Sequence, residues 1–143
     1  MESLDLTKTP PRSPRTEIDG LALLPRTIDK LRASLPGGNL GVYKMAGFSD
    51  TTLEAAGITH AQLLDVIAKA KGDQDVAAWF KAHAAVDKYN ESVQRMLELK
   101  VEDVKARDPD GFVQRYPVCV KRPDLVYMAD ALAADDEEMF AKT

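Results

Sequence analysis

Six side chains in this sequence could do chemistry if the fold brought them together: Lys30, Arg32, Tyr43, Trp79, His83 and Asn90. His83 is the natural acid–base group, because an imidazole titrates near neutral pH. Tyr43 is its expected catalytic companion, a phenol able to donate or accept a hydrogen bond to a substrate. Arg32 offers a planar fork that matches a carboxylate or phosphate, and Lys30 adds a point charge two residues away. Asn90 supplies an amide for orientation, and Trp79 stands one helical turn before His83. Proton transfer with electrostatic positioning requires neither metal nor cofactor. Elimination, hydration or isomerisation of a small, anionic molecule is the compatible chemistry. The reading demands that these side chains converge on one cavity.

Each of them also has a structural use. Histidine on an apolar helix face is commonly a satisfied core group, and a buried amide can bond a loop backbone instead of a ligand. The charges around Arg32 can form a solvated face, with Arg26 beside Asp29.

The elements that must position these residues are helices. Leu24, Ile28, Leu31 and Leu35 recur at i, i+4, i+7 and i+11, one stripe of a helix. Pro25 suits its first turn, and Pro36-Gly37-Gly38 ends it. On that wheel Arg26 and Lys30 fall opposite the leucines, on the outside, with Asp29 and Arg32 flanking the stripe. Gly37 to Phe48 is glycine-rich but follows a helix instead of opening one, so it reads as a cap and turn, not a phosphate loop. A short extended piece over Val42–Met45 would place Tyr43.

Asp50 is expected to cap a short helix ending at Gly57. Thr59 and Gln62 have capping-box spacing and start the next helix, with His60 exposed in its first turn and assigned no role. Asp73 caps a helix that gathers Val76, Trp79, Phe80 and His83 on one side. Val86 to Leu99 forms another, burying Val86, Tyr89, Val93, Met96 and Leu97, with Asn90 on that face. Asp108-Pro109-Asp110-Gly111 reads as a turn. Phe112–Val120, interrupted by Pro117, fits helix or extended chain. Pro123–Ala133 reads as helix, and Asp135-Asp136-Glu137-Glu138 as the start of a final turn. Little of the sequence reads as strand.

The expected fold is mostly α: a single compact multi-helix domain over residues 18–143, preceded by an extended proline-rich arm over residues 1–17. In that arm Thr9-Pro10-Pro11 and Ser13-Pro14 favour extended geometry, as a strap over the domain or a tail.

At 143 residues the chain can bury a core without staples. Its 45% apolar and 29% charged composition is that of a soluble globular protein. A single cysteine, Cys119, excludes an internal disulfide and fits a reducing cytoplasm. One cysteine and two histidines exclude zinc sites of the Cys/His type. Acid and base nearly balance before Thr51 and acid exceeds base after it, so nucleic acid is not an expected partner. No apolar run reaches the length of a membrane span.

Leu4-Asp5-Leu6-Thr7-Lys8-Thr9-Pro10-Pro11-Arg12-Ser13-Pro14-Arg15, followed by Leu24-Pro25-Arg26-Thr27-Ile28-Asp29-Lys30-Leu31-Arg32-Ala33, resembles a small bacterial family, domain-of-unknown-function family 5069. Gly41-Val42-Tyr43 is similar to that family's tyrosine after a glycine turn, and Asp73 to Trp79 to its acidic helix start leading to a tryptophan. Asn90 with Met96-Leu97, and Ala134-Asp135-Asp136-Glu137, are weaker echoes. Tyr89 stands where the family often has tryptophan. The resemblance implies a compact, mostly helical domain and brings no reaction with it.

Two functions are therefore expected. The first is small-molecule binding with acid–base catalysis by His83 and Tyr43, the substrate held by Arg32, Lys30, Asn90 and Trp79. The alternative is a non-catalytic interaction module that meets another protein through the proline-rich arm or the acidic C-terminal segment.

Overall fold

Helix α1 (Leu24–Ala33) is the element on which the rest of the chain is laid. The computed structural model describes residues 1–141, so the last two residues of the expected domain lie outside the described residues. After α1 come α2 (Phe48–Ala56), α3 (His60–Lys69), α4 (Asp73–His83) and α5 (Val86–Glu98). Then follow α6 (Val101–Arg107), α7 (Pro109–Arg115), α8 (Val118–Lys121) and α9 (Met128–Ala141). The fold is mostly α and compact, with one small antiparallel hairpin, β1 (Glu17–Ile18) and β2 (Leu21–Ala22), pairing Glu17 with Ala22 and Ile18 with Leu21.

That hairpin was not expected, yet its turn is written in the chain. Asp19 and Gly20 both have positive φ, 50° and 79°, as a two-residue hairpin turn requires. Immediately after it, Leu23 takes φ 70° while fully buried. Left-handed geometry is unfavourable for a leucine by about 1–2 kcal/mol, so α1 starts from a strained residue.

The leucine stripe of α1 faces a core of Leu24, Ile28, Leu31, Leu53, Leu63, Ile67, Phe80 and Tyr89, shared by α1 to α5. Phe80 and Tyr89 meet edge to face, ring centroids 4.9 Å apart, and the Tyr89 hydroxyl donates to the Ala22 carbonyl at 2.7 Å. A buried phenol needs such an acceptor. A second, smaller cluster gathers Phe112, Met128 and Ala131 with Leu99, Val104 and Leu125 under α6 to α9.

The opposite face of α1 is the main correction to the sequence reading. Arg26, Asp29 and Lys30 are buried, not solvated. The N-terminal residues and α9 cover them: the Arg26 guanidinium donates to the Arg12 carbonyl and to Asp136 in α9. A one-sided leucine stripe shows where the main core lies but not what covers the far side.

The N-terminal residues run along the domain and bond to it throughout. The Met1 ammonium donates to the Ile67 and Ala70 carbonyls at the end of α3, at 2.8 and 2.6 Å. The Leu4 N–H donates to the Arg32 carbonyl, the Leu6 N–H to the Asn39 carbonyl, and the Asn39 N–H to the Leu4 carbonyl. Gly38 is needed where the chain turns away from α1, since a Cβ there would stand 2.5 Å from the Ala33 carbonyl oxygen.

Other boundaries differ in instructive ways. The Thr59–Gln62 capping box forms with both bonds, at 3.1 and 2.9 Å. Asp50 and Asp73 lie inside the first turns of their helices, behind Gly47 and Gly72, and do not cap them. Asp108-Pro109-Asp110-Gly111 is the first turn of α7 and no free turn: Asp108 accepts from the Gly111 N–H and Pro109 occupies the first position. Phe112–Val120 is helical on both sides of Pro117. The acidic run 135–138 does not start a final turn. It lies midway along α9, which is continuous.

Candidate functional site

The structure scatters four of the six residues and brings two into one neighbourhood. Arg32 is half-buried at the edge of α1, its Nε donating to the Glu2 carbonyl at 2.8 Å. Trp79 and His83 form a stacked pair, centroids 4.7 Å apart and planes within 16°. His83 is nevertheless exposed, with Nδ1 2.9 Å from the Trp79 carbonyl oxygen, so its ring lies along the outside of α4 instead of in the core. Asn90 is also exposed, contrary to the expected buried face. Tyr89, Ser92 and Val93 turn inward, leaving Asn90 in a shallow groove with Asp87, Glu91, Gln94 and Arg95. His60, expected exposed, is half-buried with Nε2 2.9 Å from Asp50 Oδ1.

Lys30 and Tyr43 meet around a pair that the sequence reading missed, Arg26 and Asp136. Arg26 Nη1 donates to Asp136 Oδ2 at 2.8 Å, and the Tyr43 hydroxyl donates to Asp136 Oδ1 at 2.7 Å. The Arg26 guanidinium carbon also stands 5.8 Å from the Tyr43 ring centroid, over its face. Arg26 and Asp136 are only 4% and 5% exposed. Both carboxylate oxygens are thus committed, one to a cation and one to a phenol. Charge-assisted bonds of this kind are short and strong.

Lys30 lies one turn along α1 from Arg26, on the same face, and is 8% exposed. Among the described residues its ammonium has no hydrogen-bond acceptor and no ion-pair partner. Burial, then the neighbouring Arg26, lowers its pKa to about 8, with Asp136 opposing. Burial, followed by the bond to Asp136, holds the Tyr43 phenol well above its ordinary pKa. Asp135 stands at the margin of the cluster; burial and then Asp136 and Glu138 raise its pKa, against the pull of Arg26.

Tyr43 arrives in a loop bounded by Gly41 and Gly47, both at positive φ, 59° and 66°. Its backbone is tied to Leu40, and no strand forms over Val42–Met45 as expected. Asp136 comes from the middle of α9, so the cluster joins α1, the 41–47 loop and α9.

A second, partly buried network lies beside it, with only Asp29 deeply buried. Arg12 grips Asp29 through Nε and Nη2, both at 3.0 Å, and Asp73 through Nη1 at 2.8 Å and Nη2 at 3.1 Å. Burial works against the Arg12 charge, but the bonds from Asp73 and Asp29 outweigh it and hold its pKa above the usual value. Here one cation meets two carboxylates; around Asp136 two cations meet one. Arg12 is bonded to both of its carboxylates, whereas Lys30 makes no hydrogen bond or ion pair with Asp136 and feels it, with Asp135 at the margin, only through space.

These features define an α-helical protein whose central helix carries a buried polar face instead of a solvated one. A family model described as a domain of unknown function (DUF5069) matches residues 8–138, and the chain belongs to that family. A search of curated proteins finds no match. Arg12, Arg26, Lys30, Tyr43 and Asp136 all fall inside the matched span.

Proposed function

We propose that this protein binds a small anionic molecule at the Arg26–Lys30–Tyr43–Asp136 cluster and acts on it by proton transfer without a cofactor. The observation that carries the reading is Lys30: a lysine whose stem is buried and whose ammonium, still reached by solvent, has no protein acceptor, beside a second cation and a carboxylate already shared with Tyr43. Buried positive charge without a matching anion favours an anionic ligand, because the ligand supplies the missing countercharge. A lysine near its titration point at mildly alkaline pH can take up a proton and return it. Arg26 and Asp136 form the fixed frame, and Tyr43 brings a hydroxyl bonded to the same carboxylate. In this reading Lys30 and Tyr43 carry the acid–base work and His83 none.

We place the protein in a bacterial cytoplasm, where its single cysteine stays reduced. An interaction role through the N-terminal arm draws no support from the many bonds that tie those residues to the domain.

A thermal-shift screen of small carboxylates and phosphates tests the proposal, with Lys30→Met, Tyr43→Phe and His83→Ala as comparisons. A ligand at about 100 times its Kd stabilises the fold by roughly 2.7 kcal/mol. The expected result is a shift lost in Lys30→Met, weakened in Tyr43→Phe and kept in His83→Ala. A ligand shift that survives Lys30→Met would remove Lys30 from the site.

A further inference from the structure

Beside the smaller apolar cluster lies an open cleft of about 480 Å3 between α6, α7, α8 and the chain before α9. Its walls include Phe112, Val113, Val120, Leu125 and Val126. Val120 is 62% and Val126 52% exposed, so an apolar lining is left open to water. Such a volume is typical of a small-molecule site. Three charged residues also line it: Lys100, Glu102 and Lys105. Among the described residues, neither lysine has an ion-pair partner. Together the three leave one net positive charge beside an apolar chamber.

We infer that this cavity binds a straight-chain monocarboxylate, its carboxylate between Lys100 and Lys105 and its alkyl chain against the valines. The apolar wall calls for a hydrocarbon tail. The two ammoniums call for an anionic head, and Glu102 limits it to a single charge, since a second carboxylate would meet a like charge. Burial, then Asp135, keeps the Cys119 thiol above its ordinary pKa, while Lys105 pulls the other way. The Lys30 cluster shares no residue with this site, and the two stand or fall separately.

Calorimetric titration of the full chain with hexanoate, octanoate, decanoate and dodecanoate is the direct test. Kd should tighten by up to about fourfold for each buried methylene until the chamber is full. The matching alkanols and α,ω-dicarboxylates should bind at least tenfold more weakly than the monocarboxylate. Lys100→Ala/Lys105→Ala should erase the preference for acid over alkanol while leaving alkanol affinity in place. Lys30→Met should leave the whole series unchanged. Cys119 gives a second readout, because bound decanoate should slow its alkylation. Absence of saturable binding, affinity indifferent to chain length, or equal affinity for acid and alkanol would overturn the inference. So would self-association that Val120→Ser abolishes, which would make the valines a protein interface.

Discussion

Lys30→Met removes the ammonium while keeping most of the apolar stem. Lys30 is an almost fully buried cation whose pKa is held near 8 instead of 10.5. Below pH 8 folded and unfolded chains are both protonated there, and the folded state bears the full cost of the buried charge. Between pH 8 and about 10.4 the unfolded chain keeps a proton that the folded chain has released, so stability rises with pH. Above that window neither state is charged at this position. The depression corresponds to an upper limit of about 3 kcal/mol. For a chain of this size that is roughly 10 °C in Tm. Lys30→Met should therefore be more stable than the parent at pH 7, by up to that amount, and should lose the advantage as pH approaches 10. The tyrosines and Cys119 titrate in both proteins and cancel in the difference. Urea unfolding of the two proteins at several pH values between 6.5 and 10 reads the result. Parallel curves would mean that Lys30 is solvated in the folded protein, and the argument for a ligand would fall with it.

Asp136→Asn keeps the shape of α9 but leaves Arg26 buried without a countercharge, and should destabilise by about 3–5 kcal/mol in denaturant. It also removes the one carboxylate that supports the Lys30 charge, so the Lys30 pKa, followed by NMR of the ammonium, should drop below 8. Arg12→Ala removes the cation from buried Asp29 and leaves it only the residue-12 backbone N–H; with Arg12 about one-third exposed, the cost should be about 1–3 kcal/mol. Limited proteolysis should then cut the N-terminal residues sooner than in the parent. At Leu23 the usual order of substitutions should invert. Glycine relieves φ 70° and alanine does not, so Leu23→Gly should be no less stable than Leu23→Ala in thermal unfolding.

Local rules carried well where a helix announces itself by period or cap. The leucine stripe of α1 and the Thr59–Gln62 box needed only neighbouring residues, and both form. The errors came where the deciding partner lies far along the chain. Arg26 and Lys30 look solvated on a wheel of α1, because the wheel contains neither the N-terminal residues nor α9. Asp136 sits 110 residues from Arg26, inside an acidic run that local rules assign to a helix start. The Asp19-Gly20 hairpin and the Asp108-Pro109 helix start are different: their signals are local, the first passed over and the second read as a turn because the same residues favour both. His83 shows the reverse error. A stripe of Val76, Trp79 and Phe80 suggests a common inward face, yet the stack on Trp79 satisfies the ring at the surface.

The two polar networks on α1 separate structural from functional charge more sharply than burial alone. Arg12 is a guanidinium fork filled by two carboxylates, every bond directional and within hydrogen-bond distance. It fastens the N-terminal residues to α1 and α4. Arg26 and Asp136 are likewise paired, and alone they would be an internal clamp. Lys30 changes the balance. It adds a second buried charge that the clamp does not neutralise, at a position where methionine would pack as well and, below pH 8, more stably. If Lys30→Met proves the more stable protein, a cation kept there against the stability of the fold is what the proposed anion site requires.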